Sequence, residues 1–246
     1  MQMTVIRSCA QNDSPLQTEN LVEVSSGGHV TKARNRGANV AVSDWLLFVD
    51  EDCTLLPEQY DRIQNILLKE NLDTNCIWGV NYARQRVGSL WGRAYNWIQR
   101  SWVRLSGEMR GTRPSVENLL GGFLLIHRHV FSDLGGFSEK IPWGGEETEF
   151  LRRAKKKGYQ ARLLDEFEIK HQKNLNFGGF LRRAWYQGYA RGLWDLKTSN
   201  ISLFDIWRRR GELDRLTFFE FLACLLFGAI MIFASSIAKV EKRLHD

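Results

Sequence analysis

The chain has 246 residues, 43% hydrophobic and 25% charged, so it can bury one substantial core and is not a disordered polymer. Its net charge of +6 is uneven: residues 1–80 hold 6 Lys and Arg against 11 Asp and Glu, which leaves 28 against 17 in residues 81–246. The four cysteines are widely scattered, which excludes a close disulfide framework and favours a reducing environment. The N-terminus has no charged segment followed by an apolar run, so we expect no secretory signal.

The first fifty residues alternate between predicted strands and a predicted helix. Short apolar runs predict strands at 3–6 and 21–24, and small residues at helical spacing predict a helix over 30–42. The continuous apolar run 45–49 predicts a strand buried on both faces. Asp50, Glu51 and Asp52 follow it directly, at the strand end where open α/β sheets bind ligands.

The middle of the chain continues this alternation. We predict helices at 57–69, 89–105, 130–134 and 146–157, a strand at 77–80, and a Gly-Gly turn leading into a strand over 118–127. The helix at 89–105 interleaves tryptophans with arginines, a composition typical of membrane interfaces.

Two further segments indicate contact with a membrane. Residues 177–196 place aromatic and apolar residues at helical intervals with arginines around them. Residues 216–238 are apolar except for Glu220 and are long enough to cross a bilayer as a helix. A buried hairpin helix or one lying in the interface is the alternative, since Glu220 is costly in lipid. Upstream arginines at 208–210 and 215 slightly favour a cytoplasmic body, although basic residues also follow the segment.

Two acidic clusters carry the candidate chemistry. Asp50 and Asp52 stand at i and i+2 after a buried strand, so both can face a cleft and hold Mg²⁺ or Mn²⁺. A solvated acidic turn is the alternative. Glu146 and Glu147 open a predicted helix, where carboxylates also serve as ordinary partners of the helix dipole.

Four motifs in order resemble the family-two glycosyltransferases, which have a nucleotide-diphospho-sugar transferase (GT-A) fold. They are KARNRGANVAVSDWLLFVDED, LLGGFLLIHRHVFSDLGGFSE, WGGEETEFLRRAKKKGY and IKHQ, and the match covers most of residues 24–196. The resemblance implies an α/β fold with a mixed, mostly parallel sheet flanked by helices. We expect C-terminal amphipathic and membrane-associated helices to follow it.

The resemblance also assigns roles to the acidic residues. Asp50 and Asp52 correspond to the family's DxD element, which binds a divalent metal, Mg²⁺ or Mn²⁺, that bridges the donor diphosphate. Glu147 corresponds to the general base that acts on the acceptor hydroxyl in an inverting displacement, and Glu146 is the alternative because the usual Glu-Asp pair is Glu-Glu here. His171 corresponds to a histidine that completes the metal or diphosphate site; a structural histidine is the alternative.

Donor-binding roles are implied for a second group of residues: Arg34, Asn35, Glu51, Gly121 and Gly122. Arg34 and Asn35 match the family's Arg-Asn pair near the nucleotide, and a solvated helix face is the alternative. Gly121 and Gly122 would let the backbone approach the donor sugar, and a plain tight turn explains them equally well.

The chain departs from the family at its N-terminus. Members begin with a strand and loop that hold the nucleotide base, whereas residues 3–13 align best with the family's second strand, which normally ends in an Asp. Arg7 stands at that place. We therefore expect the first βα unit to be missing. Three explanations are open: a truncated chain, a missing piece supplied by a partner chain, or a degenerate protein that binds without catalysis.

We predict a catalytic domain over 1–175, an amphipathic region over 176–215, a membrane helix over 216–238 and a basic tail over 239–246. The predicted function is transfer of a sugar from a nucleoside-diphosphate sugar to a lipid-linked or polysaccharide acceptor at the cytoplasmic face of a membrane. A non-catalytic, membrane-bound partner protein is the main alternative. We expect no nucleic-acid partner, because the basic residues interleave with Trp and Leu beside a bilayer-length segment.

Overall fold

The computed structural model describes residues 3–9, 21–25, 29–69, 72–108, 119, 122–141, 145–171, 173–193 and 216–245. Gly121 and the arginines at 208–210 and 215 lie outside the described residues. The described elements, in chain order, are β1 Met3–Cys9, β2 Leu21–Ser25, α1 Val30–Val40, β3 Trp45–Asp50, β4 Cys53–Thr54, α2 Pro57–Lys69, β5 Cys76–Tyr82, α3 Leu90–Glu108, β6 Phe123–His127, α4 Arg128–Asp133, α5 Glu146–Lys156, β7 Gln160–His171, α6 Phe177–Leu193 and α7 Phe218–His245.

The predicted elements are present, most of them with ends within a few residues of the predicted ones. The helix at 57–69 has the bounds that its sequence predicts, and the C-terminal helix continues past 238 to His245. Sequence patterns missed β4 and β7. The first is two residues long, and the second forms through pairing with distant parts of the chain.

The strands form one seven-stranded sheet in the order β2-β1-β3-β6-β5-β7-β4. β1 is parallel to both β2 and β3, whereas β6 is antiparallel to β3 and to β5, and β7 is antiparallel to β4. The expected α/β fold with a mixed sheet flanked by helices is confirmed. Trp45 to Val49 of β3 are buried, as a strand near the centre of such a sheet requires.

The described elements divide into two compact units. The first holds the sheet with α1, α2, α4 and α5, and its core is a cluster of aliphatic and aromatic side chains around Phe48, Phe131 and Phe150. The second holds α3, α6 and α7, with a core of its own around Tyr95, Phe180 and Phe227.

Close packing of helix on helix defines the second unit. A Cβ added to Gly188 would collide with the backbone of Met231, and one added to Gly192 with the backbone of Ser235, so these glycines let α6 approach α7 closely. Arg93 of α3 donates to Glu220 of α7 at 2.7 Å. Among the described residues, one helix, spanning Phe218–Leu244, is long and apolar enough to cross a membrane.

The approach of α1 to β1 yields a prediction about stability. A Cβ added at Gly37 would meet the Ile6 side chain, so Gly37→Val should overpack this contact and lower the free energy of unfolding by about 1–3 kcal/mol. Asn39→Ala, on the exposed face of the same helix, is the control and should change it by less than about 0.5 kcal/mol. Urea unfolding measures both, and equal effects would contradict the packing described.

Candidate active site

Arg34 of α1 joins the two acidic clusters. Its side chain is 2% exposed, and Nη2 donates to Asp50 Oδ1 at 2.5 Å. Nη1 lies 3.2 Å from Glu147 Oε1 and 3.6 Å from Glu146 Oε1. A solvated helix face, the alternative left open for Arg34, is therefore wrong: the guanidinium is buried among three carboxylates from β3 and α5.

The turn before α5 presents the glutamates to Arg34. Gly145, the N-cap of α5, has φ 98°, a left-handed conformation that residues with side chains rarely adopt. This turn places Glu146 and Glu147 in the first helical turn, where the helix dipole favours carboxylates. Glu146 is buried, whereas the Glu147 side chain is 20% exposed, so Glu147 is the more accessible of the two.

Asn35 holds the backbone of Phe137 next to the site. Its Nδ2 donates to the Phe137 carbonyl at 2.9 Å, and its Oδ1 accepts from the Phe137 backbone N–H at 2.9 Å. The Phe137 ring in turn lies 5.2 Å from the guanidinium carbon of Arg34, within cation–π range. Asn35 thus binds the segment that carries Phe137 and Glu139, whose Oε1 accepts from Asn35 Nδ2 at 3.2 Å.

The local charge balance shifts two pKa values. Burial alone would lower the pKa of Arg34, but Asp50, Glu147 and Glu146 raise it above its ordinary value. Burial, aided by the Glu147 carboxylate and opposed by Arg34, raises the pKa of Glu146 to about 8. Glu146 Oε2 has no hydrogen-bond partner among the described residues, which adds to the cost of ionising it. Burial therefore favours the protonated form of Glu146 in the folded protein.

A second group of side chains can hold a metal. Strand pairing sets Cys53 of β4 opposite His171 of β7. Asp52 Oδ1 lies 3.2 Å from His171 Nε2, and the donor atoms of Asp52, Cys53 and His171 all lie within 4.8 Å of one another. His171 is 3% exposed and Asp52 keeps partial access to solvent. Oxygen, nitrogen and sulfur donors at this spacing can hold a divalent transition metal.

Arg7 and Gly122 contact the backbone of the acidic triplet. Arg7 Nη2 donates to the Glu51 carbonyl at 2.8 Å, because β1 lies beside β3 in the sheet. The Glu51 side chain is exposed. The Gly122 carbonyl accepts from the Asp50 N–H at 3.2 Å, which extends the pairing of β3 and β6 to the triplet.

Sequence reasoning missed two participants in this arrangement. Cys53 directly follows the triplet, but only the pairing of β4 with β7 shows that its thiol lies near His171. Arg7 attracted attention only as a departure from the family pattern, yet it brings a positive charge next to the triplet. Among the residues predicted from sequence, Arg34, Asp50, Glu146 and Glu147 meet in one cluster and Asp52 and His171 in another.

Comparison with protein families identifies the fold and its chemistry. Residues 18–196, well over half of the chain, match the model of glycosyltransferase like family 2. The chain belongs to this family. The acidic triplet and the glutamate pair of the chain both lie inside the matched region.

Two animal proteins are similar to this chain over part of its length. A Drosophila melanogaster protein assigned as a polypeptide N-acetylgalactosaminyltransferase is 26% identical over 152 residues, covering 56% of this chain and 27% of the relative. A Caenorhabditis elegans protein assigned as an N-acetylgalactosaminyltransferase is 29% identical over 136 residues, covering 50% and 24%. The chain thus spans about a quarter of the length of these relatives.

Two solved structures with low sequence identity to this chain are similar to it in structure. A mannosyltransferase from Pyrobaculum calidifontis, in complex with GDP-Man and Mn²⁺, is 15% identical with a TM-score of 0.44, covering 91% of this chain and 62% of that one. TarS from S. aureus, in complex with UDP, is 13% identical with a TM-score of 0.43, covering 91% and 72%.

The raised pKa of Glu146 predicts a pH-dependent stability. The ordinary pKa is 4.5, so between about pH 4.5 and 8 the folded protein keeps a proton that the unfolded chain releases. The free energy of unfolding should therefore fall as pH rises, by at most about 1.4 kcal/mol per pH unit from this group. Glu146→Gln removes the effect.

Urea unfolding of the metal-free wild type and Glu146→Gln at intervals between pH 5 and 8 measures this dependence. The stability of the wild type relative to the variant should decline steadily over that range. A difference between the two proteins that stays constant with pH would show that Glu146 is not protonated in the folded state.

Proposed function

We propose that this chain transfers a sugar from a nucleoside-diphosphate sugar to a lipid-linked or polysaccharide acceptor, with inversion and with a divalent metal. The observation that carries the proposal is the buried Arg34, which joins the acidic triplet to the glutamate pair at the start of α5. Inverting transfer needs a site for the diphosphate and a base for the acceptor near each other, and Arg34 brings the residues of both roles together.

We assign the metal to Asp52 and His171, with Asp50 close by at the end of β3. Their oxygen and nitrogen donors fit Mn²⁺ or Mg²⁺, and the nearby Cys53 thiol adds a softer donor that favours Mn²⁺ over Mg²⁺. When bound, the metal supplies Lewis-acid stabilisation of the negative charge that develops on the departing diphosphate.

Glu147 is our choice for the general base. Its carboxylate is partly exposed, so an acceptor hydroxyl can reach it, whereas the Glu146 side chain is 6% exposed and its burial raises its pKa. Arg34 binds Glu147 Oε1 and thereby fixes the direction of the carboxylate. A base that removes the acceptor proton opposite a leaving diphosphate supports a single in-line displacement, which inverts the anomeric centre.

The donor-binding roles change from those expected. Arg34 is enclosed by carboxylates, so we propose that it positions Asp50 and Glu147, and that Asn35 positions Arg34 through Phe137. Arg7, at the end of β1 and bound to the Glu51 carbonyl, is the cation that we assign to the diphosphate or nucleotide side of the triplet. Gly122 supports Asp50 through its backbone.

The second unit supports the proposed acceptor class. Its long apolar helix and its basic, aromatic neighbours suit a chain that works on the surface of a membrane, where lipid-linked acceptors reside. We propose the cytoplasmic face, where nucleotide sugars are made and where basic segments meet anionic lipids.

The assay is release of nucleoside diphosphate by the purified chain, with Mn²⁺ or Mg²⁺, a panel of UDP- and GDP-sugars and a lipid extract as acceptor. Glu147→Gln should lower turnover at least about 100-fold, since a general base contributes that much. Calorimetry should show that the same variant still binds UDP or GDP with metal. Asp52→Asn should instead weaken the binding of Mn²⁺.

Asp44→Asn is the matched control. Asp44 is exposed just before the opposite end of β3, so its loss should leave both turnover and Mn²⁺ binding near the wild-type values. Turnover that survives in Glu147→Gln would contradict the assignment of the base. Absence of nucleotide binding in the folded wild type would favour the non-catalytic partner protein.

A further inference from the structure

Helix α7 has an apolar face that the described residues leave uncovered. Its large side chains with at least a third of their surface exposed lie within a sector of roughly 140° around the helix axis, given 100° per residue. They run along the whole helix and form what we call the apolar stripe: Phe218, Phe219, Leu222, Leu225, Leu226, Ile232, Phe233, Val240 and Leu244.

The opposite face of α7 packs against α6, and the contacts fix how the two helices run. Phe180 contacts Phe227, with ring centroids 5.1 Å apart, and further along Gly188 meets Met231 and Gly192 meets Ser235. Residue numbers rise together on both helices, so α6 and α7 are parallel and lie side by side. Any depth that α7 reaches in a lipid bilayer is therefore also reached by α6.

That pairing disfavours a bilayer crossing. Helix α6 carries Arg182, Arg183 and Arg191, and Arg182 is exposed between the levels of Phe227 and Met231 on α7. If α7 crossed the bilayer, Arg182 would face hydrocarbon at a cost on the order of 2.5–3.5 kcal/mol near the centre. Length and composition alone permit a crossing, but the partner helix is too polar for one.

The exposed edge of α6 suits the headgroup region instead. Trp185 lies beside the apolar stripe, its ring 6.1 Å from that of Phe233, and Tyr186 is exposed next to it. Trp and Tyr prefer the boundary between headgroups and acyl chains, and the exposed Arg182 on the same edge can bind lipid phosphates. Glu220, the only charge in residues 216–238, lies on the covered face, paired with Arg93 at 2.7 Å.

We propose that α7 lies in the plane of the membrane interface, with its apolar stripe among the acyl chains and the Trp185 edge of α6 at the headgroups of an anionic bilayer. This inference rests on the proposed membrane association and specifies how α7 is oriented in the membrane. An interfacial helix sinks roughly 5–10 Å and leaves both of its ends on one side of the membrane. The chain then meets a lipid-linked acceptor from the side on which it binds.

Sided labelling separates the two geometries. The full chain is added to sealed vesicles of phosphatidylcholine and phosphatidylserine, and Lys242→Cys is treated with a membrane-impermeant maleimide. Lys242 is exposed near the C-terminal end of α7, and Lys69→Cys on the exposed surface of α2 marks the outside. The unsubstituted chain supplies the background reaction of the native cysteines, of which Cys53, Cys76 and Cys224 are buried.

The in-plane geometry predicts that both variants react to the same extent before the vesicles are lysed. A Lys242→Cys that reacts only after lysis would overturn the proposal in favour of a crossing. Spin labels at Leu222, Phe233 and Val240 give a second readout: similar depths are expected for all three, whereas a maximum at Phe233 with shallow ends would indicate a crossing.

Binding variants test whether the apolar stripe is the surface involved. Phe218→Ser with Leu222→Ser should lower partitioning into anionic vesicles at least tenfold, while Val42→Ser with Leu68→Ser, equally exposed apolar positions of the other unit, should not. Arg182→Gln should weaken binding to anionic vesicles more than to neutral ones. The proposal would be refuted if neither the stripe variants nor Arg182→Gln weakened vesicle binding, or if the wild type did not bind vesicles. Sugar transfer would remain measurable in detergent in either case.

Discussion

The site depends on one buried cation. Arg34 is enclosed by carboxylates that are 16 and 113 residues away in the sequence, and removing one partner of a buried ion pair typically costs about 3–5 kcal/mol. Burial of Arg34 is therefore stable only when the end of β3 and the start of α5 both lie against it. The Phe137 ring also contacts the guanidinium, and Asn35 holds Phe137 in place through its backbone.

A separate constraint, strand pairing, builds the second half of the site. The register of β4 against β7 sets Cys53 opposite His171, and Asp52 precedes Cys53, so strand pairing gathers three ligand types at one place. The two halves divide the work that we propose. The β4–β7 half holds the metal, and the Arg34 half directs the carboxylate that accepts the proton.

Sequence patterns predicted those parts of the fold that local chemistry determines. The helix Pro57–Lys69 has its own start and periodicity, and β3 is a continuous apolar run. They did not predict what pairing decides: β4 is too short to carry a pattern, and the burial of Arg34 depends on carboxylates elsewhere in the chain. On sequence alone an arginine on a helix of small residues is typical of a solvated face. The parallel packing of α6 on α7, which limits how α7 can meet a membrane, is likewise a tertiary feature.

A double-mutant cycle on the free energy of unfolding tests the central role of Arg34 most directly. Arg34→Gln and Asp50→Asn, measured singly and together by urea unfolding, should show a coupling of about 1–3 kcal/mol, because each change removes the same contact. The same cycle with Arg36→Gln, on the exposed face of α1, should be additive. Additivity within about 0.5 kcal/mol for Arg34 and Asp50 would contradict the account.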